Sequence, residues 1–212
     1  MNFPYRFKVV FLSFLAVFIC YIDRVNISVA IIPMQQQFGW SESQVGIILG
    51  SFYFGYMITM TLGGYLADKY GGKRVLGYGL LIWSFFTIIT PVFAYSGLWF
   101  LILIRILMGL GEGITFPSWH AIYARWIPFE ERTRAIAVTN SGISFGTVFG
   151  YLATAIIIAQ YSWEWVFYSF GILGIFWYFF WNRSVTSYPE DNKNLSDKEL
   201  ELIKREAPSN ST

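Results

Sequence analysis

Long runs of apolar residues, separated by short polar connections, make up most of this chain. Six of these runs reach the length of about 20 mostly apolar residues that a membrane-spanning helix needs. A helix satisfies its own backbone hydrogen bonds inside lipid, so the pattern predicts an all-α integral membrane fold. Residues 1–182 then form a bundle of six transmembrane helices. The predicted spans are approximately residues 9–33, 45–67, 74–95, 98–122, 135–160 and 164–182.

Composition and charge placement support this fold and orient it. The chain is 55% hydrophobic and 13% charged, whereas an ordinary soluble domain is about one quarter charged. Lys and Arg are absent from the connections near residues 34–44, 96–97 and 161–163. They cluster in the other connections and at both ends, so the positive-inside rule predicts that both termini are cytoplasmic. These basic residues include Arg6, Lys8, Lys69, Lys73, Arg74, Arg125, Arg132, Arg134 and Arg183.

The composition changes after the sixth span. Residues 183–212 are mostly polar, and we expect a cytoplasmic linker there. Ser196 and Glu199 fit a capping box, in which a serine and a glutamate three residues apart cap the start of a helix. The linker is therefore predicted to contain a short helix at about 197–206.

Four charged residues lie well inside the predicted spans, away from their ends, two in span one and two in span four. They are Asp23, Arg24, Arg105 and Glu112. A charge at membrane depth costs about 2.5–3.5 kcal/mol on insertion scales, so such residues usually line a cavity or pair with one another. Their corresponding positions suggest 3+3 inverted repeats, a common plan of secondary transporters.

The chemistry of these residues suggests separate roles. The planar guanidinium of Arg24 suits a carboxylate, so Arg24 is the candidate contact for an anionic substrate. Asp23 and Glu112 are candidates to take up and release a proton, and Asn26 is placed to line the same cavity. Asp23 and Arg105 have similar predicted depths, so we expect them to pair when no substrate is bound. The alternative is that the four charged groups only pair with one another and fix helix packing.

Other chemistry is not indicated. The sequence has no phosphate-loop, nucleotide-binding or metal-binding motif. Its single cysteine, Cys20, lies in an apolar run and is expected to be an inert packed thiol. We therefore predict a protein that is not an enzyme, with no cofactor, no metal site and no nucleic-acid partner.

The connection between spans two and three resembles the signature loop of the major facilitator superfamily. Its sequence is GYLADKYGGKRV, residues 64–75. In that family this loop takes part in conformational gating. The residues that match its pattern here are Gly64, Asp68, Lys69, Gly71, Lys73 and Arg74.

Three further stretches are similar to the anion:cation symporter family, which includes sialin, the vesicular glutamate transporters and bacterial sugar-acid carriers. They are YIDRVNISVA (21–30), RILMGLGEGITFP (105–117) and WVFYSFGILGIFWYFFW (165–181). The resemblance implies that Arg24, Arg105 and Tyr56 contact substrate. It also implies that Asp23 and Glu112 couple transport to protons.

Two differences from the vesicular glutamate transporters restrict the predicted class of substrate. Leu49 stands where those transporters have a histidine, and they lack the acidic residue Asp23. The resemblance therefore implies proton-coupled symport of a small carboxylate of the sugar-acid type. The alternatives are a carrier of another class, for drugs or sodium-driven phosphate, or a truncated membrane subunit that does not transport.

The family has twelve helices, and this chain matches the first six and part of the central linker. We therefore expect an N-terminal half whose partner is the missing C-terminal six-helix half, or else a second copy of the chain. Its other partners are the small organic anion, protons and the lipid bilayer. The outer connections carry no glycosylation sequon, which favours the bacterial cytoplasmic (inner) membrane.

Overall fold

The computed structural model describes residues 4–205, and its regular structure is helical throughout that range. A single 3₁₀ turn, Pro189–Asp191, lies in the linker. The α-helices are α1 Tyr5–Phe38, α2 Glu42–Tyr70, α3 Gly72–Ser96, α4 Leu98–Glu112, α5 Thr115–Trp126, α6 Phe129–Gln160, α7 Trp163–Ser184 and α8 Asp197–Arg205.

Within the described range, 5 helices are long and apolar enough to cross a membrane. They are α1, α2, α3, α6 and the combined stretch Leu98–Trp126. The aromatic-rich helix α7 is not among them, because Trp and Tyr are less hydrophobic than aliphatic residues on a hydropathy scale. The sixth span at 164–182 and the orientation of the termini therefore stay predictions. Residues 206–212 of the predicted linker lie outside the described residues.

The predicted fourth span, residues 98–122, is not one continuous helix. Helix α4 ends at Glu112, and Gly113 and Ile114 form a turn before α5 begins. Pro117 explains the interruption, because it has no N–H to donate to the carbonyl of Gly113. The break follows directly after Glu112, one of the candidate site residues of this span.

The turns between the long helices are short and carry clear local signals. Gly39 ends α1 in the left-handed conformation, with φ of 68°. Two residues later, the Ser41 side chain accepts from the Gln44 N–H while the Gln44 side chain accepts from the Ser41 N–H. This capping box starts α2. Gly71, with φ of 86°, joins α2 directly to α3.

The long helices pack mainly in three pairs, which are α1 with α6, α2 with α4, and α3 with α7. If spans one to three are equivalent to spans four to six, then α1 corresponds to α4, α2 to α6 and α3 to α7. The α1–α6 pair therefore corresponds to the α4–α2 pair. The α3–α7 pair then maps onto itself. The packing pattern agrees with a repeat of three spans plus three, and the inversion of that repeat stays a prediction.

Glycines permit close approach in the α1–α6 pair. A Cβ atom on Gly142 would lie 2.8 Å from the carbonyl oxygen of Phe14, and one on Gly146 would lie 2.5 Å from that of Phe18. Gly150 approaches Ile22 and Val25 in the same way. Helix α1 is packed on several sides, and its residues from Val9 to Met34 contribute to two buried apolar clusters. Functional groups on α1 are consequently held in the interior of the bundle.

Helix α8 is fastened to the ends of α1 and α6. The Glu199 carboxylate accepts the backbone N–H groups of Tyr5 and Arg6, each at 3.0 Å. The Arg6 side chain donates to Glu199 at 3.1 Å and to both carboxylate oxygens of Glu131 at 2.7 and 2.9 Å. The serine half of the predicted Ser196–Glu199 capping box is formed. The Glu199 side chain, however, bonds to the first turn of α1.

Candidate functional site

Arg24 of α1 and Glu112 of α4 form an ion pair in the interior of the bundle. The Arg24 Nε donates to Glu112 Oε1 at 2.8 Å, and Arg24 Nη2 contacts the same oxygen. The Glu112 side chain is 1% exposed and that of Arg24 is 15% exposed. Two residues that the sequence singled out separately are thus brought together, and the pair connects spans one and four.

Aromatic rings surround the Arg24 guanidinium. Its Cζ lies 4.8 Å from the ring centroid of Tyr21, 5.5 Å from that of Phe52 and 4.7 Å from that of Tyr56. Cations are attracted to the faces of aromatic rings at such distances. Tyr56, predicted near the substrate, is therefore a direct neighbour of Arg24.

Asp23 is held by neutral hydrogen-bond donors. The Thr87 hydroxyl of α3 donates to Asp23 Oδ2 at 2.7 Å, and the Asn26 amide donates to Oδ1 at 3.0 Å. Asp23 is 3% exposed, while Asn26 and Thr87 are fully buried. Asn26 therefore contacts the candidate proton-coupling carboxylate directly.

The predicted pairing of Asp23 with Arg105 is not formed. No carboxylate within the described residues lies in ion-pair distance of the Arg105 guanidinium. Arg105 is 2% exposed, its Nη1 points to Met108 Sδ at 3.9 Å, and its Nε has no hydrogen-bond partner among those residues. The charge instead lies 4.9 Å from the ring centroid of Phe52. The prediction failed because Thr87, on a third helix, takes the place beside Asp23.

Tyr21, Phe52 and Thr87 belong to this site but were not predicted from the sequence. Phe52 is 1% exposed and lies near both Arg24 and Arg105. The sequence did offer a signal for Thr87, because Ser84, Thr87 and Thr90 recur every three residues in an otherwise apolar span. All three are buried on α3. No comparable signal distinguished Phe52 from the other aromatic residues.

Cys20 has a more specific environment than the apolar packing that its sequence context predicted. It is fully buried, and its Sγ donates to Glu112 Oε1 at 3.1 Å. Within residues 4–205, no group of three or more His, Cys, Asp or Glu side chains is arranged to hold a metal ion.

The predicted gating loop lies at the α2–α3 turn, far along the helices from Arg24. Lys73 Nζ donates to Asn182 Oδ1 at 2.9 Å, and the Trp181 indole donates to the Lys73 carbonyl at 3.0 Å. These bonds fix the start of α3 against the end of α7. The other charged members of the loop, Asp68, Lys69 and Arg74, are exposed, and a Cβ atom on Gly64 would meet nothing within 4 Å.

Comparison with known proteins gives a consistent result. Residues 13–208 match the sequence profile of the Major Facilitator Superfamily. The chain is 45% identical to an ascorbate transporter and 44% identical to sodium-dependent phosphate transport protein 1, both chloroplastic proteins of Arabidopsis thaliana, over 95% of its length in each case. It is 36% identical to human sialin over 93% of its length. It spans only 37%, 40% and 46% of these three relatives.

Among solved structures, the fold matches a bacterial homolog of the human lysosomal transporter Spinster in an inward-facing and occupied conformation. The TM-score is 0.82 at 21% identity, with 93% of this chain and 47% of the other covered. At that identity the likeness concerns the fold alone. The profile match extends from the first span into the linker and agrees with this helical arrangement. The chain is therefore a multi-pass integral membrane protein that belongs to the Major Facilitator Superfamily.

Proposed function

We propose that this chain forms the substrate-binding N-terminal bundle of a transporter that moves a small organic anion together with protons. The observation that carries the proposal is the buried ion pair of Arg24 with Glu112, enclosed by Tyr21, Phe52 and Tyr56. A guanidinium beside an ionisable carboxylate can exchange one anionic partner for another. The organic-anion class also agrees with the names of the ascorbate transporter and its relatives.

The proposed coupling follows from the charges of the pair. While Glu112 is ionised, it occupies the fork of Arg24. A proton on Glu112 removes its charge, so that the guanidinium is free to bind the carboxylate of a sugar acid or similar substrate. Loss of the proton would restore the internal pair. Proton binding and anion binding are thereby linked through one arginine.

The remaining site residues take supporting roles in this proposal. Arg105 supplies a second positive charge in the same region, and Tyr56 borders the guanidinium that receives the substrate. Asp23 is the second proton-coupling carboxylate. Asn26, predicted from the sequence to line the cavity and to help bind the substrate, acts here by orienting Asp23. The α2–α3 loop, residues 64–74, gates the cavity through contacts with a second bundle.

The direct test is uptake into proteoliposomes by a transporter that contains this chain and a second six-helix bundle. Arg24→Ala should abolish proton-driven uptake of sugar acids and other small carboxylates. Arg24→Lys should retain little activity, because an ammonium cannot form the planar fork. Arg183→Ala is the matched control, since Arg183 is exposed at the end of α7. Normal uptake by Arg24→Ala would rule the proposal out.

A second candidate function is sodium-driven phosphate transport. It is favoured by 44% identity to a relative named as a sodium-dependent phosphate transport protein. Arg105, which is buried, and Arg24, which is 15% exposed, suit phosphate as well as carboxylate. Collapsing the proton gradient separates the two candidates. Phosphate uptake that persists under those conditions and requires sodium would support this second function.

The second bundle and the membrane are also part of the proposal. We favour a C-terminal six-helix half as the partner over a second copy of this chain, because the family resemblance covers successive helices of one carrier. The bacterial cytoplasmic membrane remains our proposed location, although seven relatives from plants are named as chloroplastic. Reporter fusions after residue 205 test the cytoplasmic placement of the linker, which an extracytoplasmic signal would contradict.

A further inference from the structure

A small polar cavity lies between the start of α3 and the end of α7. Its volume is about 240 Å³, and it is separate from the Arg24–Glu112 site. The cavity lies where two long helices end, which is the depth at which lipid headgroups meet a membrane protein. The residues that line it include Lys73, Arg74, Tyr78, Tyr178, Trp181 and Asn182.

Two positive charges converge on this cavity without a carboxylate to balance them. Within residues 4–205, neither Lys73 nor Arg74 takes part in an ion pair. Lys73 is held in place by the neutral oxygen of Asn182, at 2.9 Å from Nζ. Arg74 is exposed. The pair of charges is therefore free to attract an anion.

The cavity is shaped by features that do not depend on an occupant. Trp181 is fully buried and donates its indole N–H to the Lys73 carbonyl at 3.0 Å, which fixes the two helices to each other. Gly77 leaves the space open, since a Cβ atom there would lie 3.1 Å from Trp181 and 3.3 Å from Tyr178. Two tyrosines, Tyr78 and Tyr178, border the opening with ring centroids 6.1 Å apart.

An apolar groove continues from the cavity along α3. The groove has a volume of about 550 Å³, and it shares Arg74 and Tyr78 with the polar cavity. Further along, it is lined by Val75, Ile82 and Ile114. A basic, tyrosine-bordered end followed by an apolar channel matches the two parts of a phospholipid. A soluble phosphate has no acyl chain and would not fill the groove.

We infer that this cavity binds the phosphate group of an anionic phospholipid, with an acyl chain in the adjoining groove. Basic pockets between transmembrane helices are known to bind such headgroups. A lipid bound there would contact both the α2–α3 turn and the end of α7, and would hold them together. The inference does not depend on the transported substrate or on the coupling ion.

The test is a lipid titration of the purified transporter that contains this chain and the second six-helix bundle, in a neutral detergent, followed by native mass spectrometry. Phosphatidylglycerol should bind more tightly than phosphatidylcholine with identical acyl chains. Each basic residue near a membrane surface contributes about 1 kcal/mol, so Arg74→Gln should weaken phosphatidylglycerol binding about 5-fold. The double variant Lys73→Gln/Arg74→Gln should weaken it about 30-fold. Arg183→Gln, outside the cavity, is the matched control and should leave binding unchanged.

Three results would overturn the inference. Equal binding of the two lipids would show that charge is not recognised. Equal weakening by Arg183→Gln would show that only the general positive surface matters. Displacement of the lipid by inorganic phosphate or glycerol phosphate at similar concentrations would assign the cavity to a soluble phosphate. Arg74→Gln should fold normally because Arg74 is exposed, and unfolding followed by circular dichroism checks this.

Discussion

At the scale of single residues, one oxygen of Glu112 receives several donors. Its Oε1 accepts from Arg24 Nε at 2.8 Å and from Cys20 Sγ at 3.1 Å. At the end of α4, the Glu112 carboxylate thus accepts hydrogen bonds from a cation and from a thiol, both on α1. Its protonation state decides whether the Arg24 charge is balanced within the protein.

Glu112→Gln should separate substrate binding from proton coupling. The amide keeps an oxygen that can accept from Arg24 but carries no charge and cannot exchange a proton at neutral pH. We expect exchange of labelled for unlabelled anion to persist, while accumulation driven by a pH gradient is lost. Both are measured in proteoliposomes that also contain the second bundle. Accumulation that still follows the gradient in this variant would exclude Glu112 from the coupling step.

Thr87→Val should show how much the Thr87 hydroxyl contributes to holding Asp23. Valine has nearly the same shape but no donor for Oδ2, and hydrogen bonds to charged groups are worth about 1.5–3 kcal/mol. We expect thermal unfolding in detergent at a clearly lower temperature than for the wild type. Thr87→Ser keeps the hydroxyl and is the control. Equal melting temperatures for the two variants would mean that the hydroxyl does not stabilise the carboxylate.

All four charged residues of the site could be identified from the sequence, but their partners could not. Arg24 and Glu112 were recognisable because ionisable groups are rare in apolar spans. Their direct pairing was not predicted, since it depends on how α1 and α4 pack. Asp23 was assigned to Arg105 on depth alone. Comparing the depths of residues on α1 and α4 cannot show what a third helix contributes. Here α3 places Thr87 beside Asp23.

At the scale of helices, α2 and α4 approach each other through glycines. A Cβ atom on Gly55 would lie 2.1 Å from the Ile106 carbonyl oxygen, and one on Gly109 would lie 2.1 Å from that of Phe52. These distances are far below any real Cβ contact, so the two backbones touch directly. Small residues are what allow such close packing between membrane helices.

Gly55→Ala should therefore destabilise the bundle, whereas Gly50→Ala should not. Gly50 lies on the same helix, and an added Cβ there would meet nothing within 4 Å. At position 50 alanine should be neutral or stabilise by about 0.5–1 kcal/mol through its better helix propensity. At position 55 overpacking should cost about 1–3 kcal/mol. The measurement is the melting temperature of each variant in detergent. Equal melting temperatures would disprove direct backbone contact at Gly55.

Helix positions were readable from the sequence, whereas one interruption was not. Long apolar runs predicted α1, α2, α3 and α6 because few other structures tolerate so many apolar residues. The break after Glu112 was missed, although Gly113 and Pro117 were visible in the sequence. Proline is tolerated inside many membrane helices, as Pro33 and Pro91 are in α1 and α3. Its presence alone does not locate a break.

At the scale of the whole molecule, the clamp formed by Arg6, Glu131 and Glu199 joins parts of the chain that are distant in sequence. Arg6 precedes Glu131 by 125 residues and Glu199 by 193 residues. The clamp ties the linker helix α8 to the first turn of α1 and to the start of α6. The linker helix is thereby attached to two membrane helices.

Glu199→Gln should loosen α8 without unfolding the bundle. The neutral amide loses the charge-assisted bonds to Arg6 and to the N-terminus of α1. Hydrogen bonds to charged groups contribute about 1.5–3 kcal/mol, so amide exchange in α8 should accelerate about tenfold or more. Glu201→Gln, an exposed position on the same helix, is the control. Unchanged exchange in Glu199→Gln would show that the clamp does not hold α8.

The sequence could predict the overall helical fold but not this clamp. Apolar runs and the signature loop at residues 64–75 pointed to the superfamily that the profile match established. Ser196 and Glu199 were interpreted as a purely local cap. A glutamate three residues after a serine can cap its own helix, or it can bond to a distant part of the chain, as Glu199 does with the first turn of α1. Only the position of α1 beside α8 decides which bond is made.

The pairing of Arg24 with Glu112 also bears on how fast a bound anion leaves. Glu112 belongs to the same fold, so its carboxylate stays beside the guanidinium at a fixed, high effective concentration. A substrate held by Arg24 would face this tethered competitor, which shortens its residence time as it lowers its affinity. A carrier must unload as often as it loads. Under the proposed function, Glu112 on α4 is the group that would favour unloading.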